Sequence, residues 1–255
     1  MIDHALQTAL RAARVASILL RKNFPRTQRV TMKDQHNVVT STDRASERAI
    51  LKVLKRAFPK SSSFAEESGH TGSHSHPTWI VDPLDGTTNF SHHFPYFGVS
   101  IALVQDDKIL LGVVANPMLR ETYWATAKGP AFCNGKRIHI HNCVPSRAVI
   151  SMSRGGNPQS KHRTALLLPK LTKKIRTFRF HGAAALELCD VAMGHADGFL
   201  GIDMQAYDIA AGMLIAQRAG AKILNAQRKP WSFSWKPSSV AVGNPLLTKT
   251  LASIF

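Results

Sequence analysis

Apolar residues recur at helical spacing near the start of the chain, with Leu6, Leu10, Ala13 and Leu20 on one face and Pro25 closing the run. This pattern predicts an amphipathic helix over residues 4–24. A second helix is predicted from Thr42-Asp43, where either side chain can cap, to Phe58, because Pro59 follows. Residues 68–77 are rich in Gly, Ser and His and read as a mobile loop. The texture then turns to short β-type runs. Trp79-Ile80-Val81 predicts a strand, and residues 97–104 and 109–115 flank Gln105-Asp106-Asp107-Lys108 as an antiparallel hairpin. Residues 121–125 and 131–132 continue the meander, with Asn134-Gly135 as another tight turn. Beyond residue 146, strands and helices alternate. Strands are predicted at 148–153 and 177–180, and a helix at 160–175 interrupted at Pro169. Two further helices, 183–193 and 206–219, are ended by Gly194 and Gly220. There is no internal repeat and no low-complexity linker. The expectation is an α/β chain with one domain over residues 1–255. Its α+β subdomain runs to about residue 145 and its α/β subdomain covers 146–255, packed in layers.

Composition narrows the classes. Hydrophobic residues are 44% and charged residues 19% of 255, which is a globular balance with enough length for a sizeable core. No apolar run approaches the roughly 18 residues of a membrane span, so no membrane role is expected. Met1-Ile2-Asp3-His4 has neither the basic flank nor the apolar stretch of a signal peptide. Cys133, Cys143 and Cys189 are odd in number and contain no Cys-x-x-Cys pair, which argues against a disulfide framework or a zinc ribbon. The expected location is cytoplasmic. Lys plus Arg number 33 against 16 acids, a formal +17. Between Cys143 and Gly182 stand nine Lys or Arg and no acid. Such a field attracts phosphate esters and nucleic acid alike. A generally basic composition or a solvated helix face accounts for the charge equally well.

The chemistry concentrates in Trp79-Ile80-Val81-Asp82-Pro83-Leu84-Asp85-Gly86-Thr87-Thr88-Asn89-Phe90. An apolar strand delivers Asp82, Pro83 stiffens the chain as it leaves the sheet, and Asp85 returns to the same edge. Two carboxylates three residues apart on a turn can hold hard cations, which prefer oxygen ligands. Gly86 lets backbone approach a ligand, and the N–H groups after it can cradle phosphate oxygens at a helix start. An Asx-rich turn opening a helix explains Asp-x-x-Asp-Gly alone, but not the whole twelve-residue string.

That string resembles the signature of the inositol monophosphatase family, and the resemblance extends along nearly the whole chain. Phe64-Ala65-Glu66-Glu67-Ser68-Gly69 is similar to the family's upstream Glu-Glu-Ser segment, and Val38-Val39-Thr40-Ser41-Thr42-Asp43 to the segment whose aspartate helps polarise water. Lys33 stands where the family often has a lysine. Ala206-Tyr207-Asp208-Ile209-Ala210-Ala211-Gly212 resembles the C-terminal signature, which usually has tryptophan before the aspartate. The resemblance implies a layered αβαβα sandwich and two or three Mg²⁺ ions. Glu66, Asp82 and the carbonyl of Leu84 would hold the first ion. Asp82, Asp85 and Asp208 would hold the second, and a third would lean on Glu66. It makes Glu66, Thr87 and Asp43 catalytic, and has Gly86, Thr87 and Asp208 meet the substrate. Two such metals neutralise a phosphate monoester and stabilise attacking and leaving oxygens together, so no Ser or Cys nucleophile is needed.

The implied activity is hydrolysis of a small phosphorylated substrate, first of all inositol 1-phosphate, with lithium sensitivity and a homodimeric form. The family position that contacts inositol, seven residues before Asp208, is Gly201, with Asp203 the nearest acid that could reach in. Fructose 1,6-bisphosphate, a nucleotide 3′-phosphate and histidinol phosphate are the other substrates to weigh. Bacterial members of the SuhB type also act on RNA polymerase or ribosomal RNA transcription, a partner that +17 would suit, beside weak non-specific nucleic-acid binding. His70, His74 and His76 have zinc-like chemistry, but their Gly/Ser context favours a solvated loop. His92-His93 reads equally as substrate-facing or as surface. The three cysteines read as core thiols.

Overall fold

Two long helices each bury one apolar stripe and together form the outer layer of the molecule's N-terminal half. The first, α1 (Ile2–Asn23), buries Leu6, Ala9, Ala13, Ala16 and Leu20. A short antiparallel ribbon of β1 (Val30–Met32) and β2 (Val38–Thr40) leads into α2 (Ser41–Ala57). The structure is a computed structural model and describes residues 2–27, 30–32, 38–73 and 77–255. Lys33, His74 and His76 lie outside the described residues. The cap of α2 is Thr40 rather than Thr42 or Asp43. Thr40 is extended (φ −109°), and Asp43, at the third helical position, accepts from its backbone N–H in a capping box.

These helices cover an eight-stranded sheet of β3 (Ser62–Ala65), β4 (Gly69–Thr71), β5 (Thr78–Asp85), β6 (Gly98–Gln105), β7 (Lys108–Asn116), β8 (Glu121–Thr126), β9 (Ala131–Cys133) and β10 (Lys136–Ile138). Its order is β10-β9-β8-β7-β6-β5-β3-β4. Two expectations are corrected here. Part of the predicted 68–77 loop is strand β4, paired antiparallel to β3 through Phe64↔His70. The predicted strand at 79–81 runs through both aspartates to Asp85. The ladder to β6 shifts register between Asp82 and Asp85, so Pro83, which has no N–H to give, sits in the irregularity and does not end the strand.

After the short helix α3 (Thr87–Ser91) and the meander, the chain builds a second sheet from β11 (Val149–Arg154), β12 (Thr177–Arg179), β13 (Gly198–Met204), β14 (Lys222–Asn225) and β15 (Ser238–Gly243), in the order β12-β11-β13-β15-β14. Its β12-β11-β13 part is parallel and its β13-β15-β14 part antiparallel. Four helices flank it: α4 (Pro158–Thr172), α5 (Ala184–Met193), α6 (Ala206–Arg218) and α7 (Pro245–Ala252). Pro169 does not interrupt α4. It stands in the last turn, where its missing N–H removes a single helical hydrogen bond before the helix ends.

Three apolar cores separate five layers. The first, with Leu20, Ile50, Trp79 and Phe97, lies between α1/α2 and the large sheet. The second joins both sheets through α5 and α6, with Ile80, Val114, Leu188, Phe199 and Met213. The third, with Ile150, Leu171, Leu200 and Leu251, seats α4 and α7 on the outer face of the small sheet. The order is αβαβα. Close approach in the middle layer demands glycine at 112, where an added Cβ would stand 2.7 Å from the Ala211 carbonyl oxygen on α6.

Candidate active site

Strand pairing sets the first two carboxylates side by side. Strands β3 and β5 are parallel, with Ala65 opposite Val81, and the Glu66 N–H donates to the Val81 carbonyl at 3.1 Å. Glu66 therefore leaves β3 level with Asp82 of β5. Asp82 is 2% exposed, and one of its oxygens accepts the Leu84 N–H at 3.0 Å, which closes a small turn over Pro83. The Ser46 hydroxyl of α2 donates to the Pro83 carbonyl at 2.8 Å and ties that turn to the first layer.

Helix N-termini receive three of the other acids. Asp85 accepts from the first N–H groups of α5, Ala184 at 3.1 Å and Ala185 at 2.7 Å, one on each oxygen. Asp208 is the third residue of α6 and accepts the Gln205 N–H at 2.8 Å. Asp43 holds the same position in α2. It accepts from the Thr40 hydroxyl at 2.5 Å and from the Thr87 hydroxyl at 2.8 Å. Unpaired N–H groups and the helix dipole favour negative charge at each of these starts. Each carboxylate is also fixed in orientation by backbone, so the set is held in place before any ligand arrives.

Between them runs the turn at Gly86, whose φ of 92° is open to glycine at little cost. A Cβ there would also come within 3.2 Å of the Ala183 Cβ and the Tyr96 carbonyl oxygen. Thr87 follows at the start of α3. Its hydroxyl lies 3.1 Å from the Leu84 carbonyl as well as 2.8 Å from Asp43, and a single proton serves one of the two at a time.

The electrostatics are those of crowded acids. Burial, and after it the charges of Glu66, Asp85 and Asp208, push Asp82 well above the usual carboxylate range. Asp85 is raised to about 7, chiefly by burial, against the lowering hydrogen bond from the Ala185 N–H. Asp43 is raised by burial, with the hydrogen bonds from Thr40 and Thr87 opposing. Among the described residues, no three acidic, His or Cys side chains stand together in finished metal-ligand geometry. Their proximity shows instead in the mutual repulsion at Asp82, which a cation would relieve.

Several residues to which the sequence reading gave no site role support this wall. The Asn89 amide donates to the Tyr96 carbonyl and the His181 carbonyl, both at 2.7 Å, and so bridges α3 to the loop before α5. Glu187 is fully buried. It accepts from the Ser153 hydroxyl, from the His181 N–H at 2.8 Å and from the Gly182 N–H at 3.3 Å. Burial raises it to about 8. Tyr96 donates to Asp190 at 2.6 Å and its ring lies 4.8 Å from the His181 ring. An acid inside an apolar helix was the available signal for Glu187.

Other predicted residues fall outside the cluster. Asp203 accepts from Ser160 and Ser239, both at 3.0 Å, and from Arg163, so its carboxylate is engaged by α4 and β15. A Cβ on Gly201 would press into the Phe199, Met204 and Val240 side chains at 2.8 to 3.1 Å. His92 is exposed, and the His93 ring nitrogen pairs with the Phe24 carbonyl at 2.8 Å. His70 is exposed on β4. The three cysteines are free thiols, Cys133 and Cys189 buried and Cys143 partly so.

The layered fold is shared with solved structures of this type. A profile of the inositol monophosphatase family matches residues 1–255, and the chain belongs to that family. It is 35% identical to an inositol monophosphatase from Mesembryanthemum crystallinum over 98% of this chain and 95% of that one. It is 36% identical to Nus factor SuhB of Pasteurella multocida, over 86% and 84%. Among solved structures, the extragenic suppressor protein SuhB of Bartonella henselae superposes with a TM-score of 0.91 at 31% identity, covering 98% of this chain and 97% of the other. An IMPase from Thermotoga maritima gives 0.88 at 29%, covering 98% and 96%. The chain is thus a phosphatase of the hydrolase class. No described helix is long and apolar enough to cross a membrane.

Proposed function

We propose that this chain is a Mg²⁺-dependent phosphomonoesterase acting first of all on inositol 1-phosphate, with the whole chain working as one catalytic unit. The observation that carries this is Asp82, a carboxylate raised first by burial and then by the charges of three neighbours, Glu66, Asp85 and Asp208. These four acids, three of them with carboxylates held by backbone N–H groups, form an oxygen-rich donor set suited to a hard cation. Glu66, Asp82 and the Leu84 carbonyl would hold one ion, and Asp82, Asp85 and Asp208 a second, with Glu66 open to a third. When bound, the ions would neutralise the phosphate and make a water acidic enough to attack at neutral pH.

The protein's own groups do the positioning. Asp43 takes the Thr87 hydroxyl proton in a hydrogen bond, which leaves the Thr87 oxygen free to accept from the attacking water and aim it. The backbone N–H groups of Gly86 and Thr87, at the start of α3, would hold phosphate oxygens. Glu187 and Asn89 keep the 181–182 loop in place against this wall. Such positioning contributes most of the catalysis available to phosphoryl transfer.

Phosphate release with and without Mg²⁺, over inositol 1-phosphate, fructose 1,6-bisphosphate, adenosine 3′,5′-bisphosphate and histidinol phosphate, tests the reading. The expected result is Mg²⁺-dependent release, greatest for inositol 1-phosphate and inhibited by Li⁺ competing at the second ion. Release only from another member of the set would move the substrate and keep the chemistry. Release from none would remove the reading. The same proposal makes the working form a cytoplasmic homodimer, which sedimentation of the purified protein checks.

A second reading is added by charge. The exposed residues Arg163, Lys170, Lys173, Lys174 and Arg176 lie on and just beyond α4, the outermost helix layer, and relatives are named Nus factor SuhB. Weak, sequence-independent binding to RNA and DNA is therefore expected. On duplex DNA it should fall with a log–log salt slope of about −0.9 per phosphate contact. Labelled RNA and DNA titrated at two salt concentrations read this out. Tight binding to a single sequence at high salt would instead favour a dedicated regulator.

A further inference from the structure

A second concave site lies away from the carboxylates, between α1 and the turn joining β7 to β8. Leu10, Arg14, Ser17 and Arg21 follow one another at helical spacing on a single stripe of α1 and line a cavity of about 580 Å³. Its opposite wall is made by Asn116, at the end of β7, by Arg120 just before β8, and by Glu121, Thr122 and Trp124 of β8. Three guanidinium groups thus share one cavity with a single carboxylate, Glu121. That carboxylate accepts the Tyr123 hydroxyl at 2.7 Å. Among the described residues, Arg14, Arg21 and Arg120 form no ion pair, and Arg21 donates only to the Pro117 carbonyl, at 3.3 Å.

The presentation of Arg120 is built in. Its φ is 56°, a left-handed backbone uncommon for a residue with a side chain. Asn134 holds it there. The Asn134 amide donates to the Arg120 carbonyl at 3.2 Å, and its oxygen accepts the Thr122 N–H at 2.9 Å. Asn116 fixes the same turn from the other side by accepting the Met118 and Leu119 N–H groups, both at 3.1 Å. Trp124 contributes a flat wall, its ring stacked 4.2 Å from Phe132.

Planar forks of five donors each match phosphate oxygens, and guanidinium groups lose little hydration on pairing. The cavity volume falls in the range of small-molecule sites. We propose that this cavity binds a small anion with adjoining phosphate groups, of the diphosphate class, at a site separate from the phosphatase centre. The site neither requires divalent cations nor shares residues with the carboxylate cluster.

Calorimetric titration of inorganic pyrophosphate into the full chain, in excess chelator, tests this. Under these conditions the metal-free carboxylates repel the probe, so binding there does not interfere. The expected result is saturable one-to-one binding that weakens as salt rises. It should fall at least tenfold in an Arg14→Ala/Arg120→Ala variant and persist in Lys173→Ala/Lys174→Ala, which removes the same charge from another face. Both pairs are exposed, and near-UV circular dichroism verifies the fold of each. No saturable binding by the wild type would overturn the proposal. So would equal loss in the two variants, because the effect would then be bulk charge.

Discussion

Replacing Asp82 by Asn abolishes Mg²⁺-dependent phosphate release while the protein stays folded, and the metal-free variant melts no lower than the wild type. The two halves of this result have one origin. In the proposed site Asp82 is the only side chain shared by both principal ions, so each loses an anionic ligand. The loss should exceed the roughly 10–100-fold that removal of a mere supporting partner costs a metal site. Stability responds differently. Asp82 is fully buried, and Glu66, Asp85 and Asp208 all raise it, so an isosteric neutral amide relieves repulsion. Its lost acceptor for the Leu84 N–H is largely restored by the amide oxygen. Phosphate release beside a thermal melt measures both. Near-wild-type activity in a folded variant would remove Asp82 from the site.

The second large effect is in the pH dependence of stability. Asp85 is raised from 3.8 to about 7 and Glu187 from 4.5 to about 8, in both cases mainly by burial. For a group raised on folding, the folded state binds more protons than the unfolded one. The associated stability is complete below the unfolded value and is lost as pH climbs through the folded value. The metal-free protein should therefore melt progressively lower between about pH 4 and pH 8. Mg²⁺ acts in the opposite sense, because it replaces the protons on the carboxylates and binds only the folded site. Its stabilisation should be small at pH 5 and grow to several degrees by pH 8. For a chain of this size about 2–4 °C corresponds to each kcal/mol. Melts at several pH values, with chelator and with millimolar Mg²⁺, give both trends. A Mg²⁺ effect independent of pH would detach the ion from these carboxylates.

Much of the layering was legible because long periodic stretches dominate it. The stripes of α1 and α2, the β6–β7 hairpin and the glycine stops of α5 and α6 follow directly from apolar spacing and Gly194 or Gly220. The small sheet was harder to read. β13 is Gly198-Phe-Leu-Gly-Ile-Asp-Met, buried nearly throughout, so it shows no alternation, and its two glycines resemble a turn. β14 and β15 are separated by the polar and aromatic stretch 226–237, which hides their antiparallel pairing. The candidate site residues were named through resemblance alone, since their segments are far apart in the chain. What could not be read was how they are held. The Asp85 contact with α5 joins residues about a hundred positions apart. The helix start was read at Thr42-Asp43, and the cap moves to Thr40 because the Asp43 side chain folds back onto it. Glu187 carries its meaning only in three dimensions, as the acceptor that fastens the 181–182 loop beside the acids.

The most direct test of the account is a count of bound divalent ions. Mn²⁺, followed by its paramagnetic signal as it is titrated into chelator-stripped protein, reports free and bound metal without any substrate. The wild type should bind at least two ions at pH 8 and take them up more weakly at pH 5, and Asp82→Asn should lose both principal ions. Uptake that is unchanged by that substitution would contradict the proposed site, and so would a wild type that binds none.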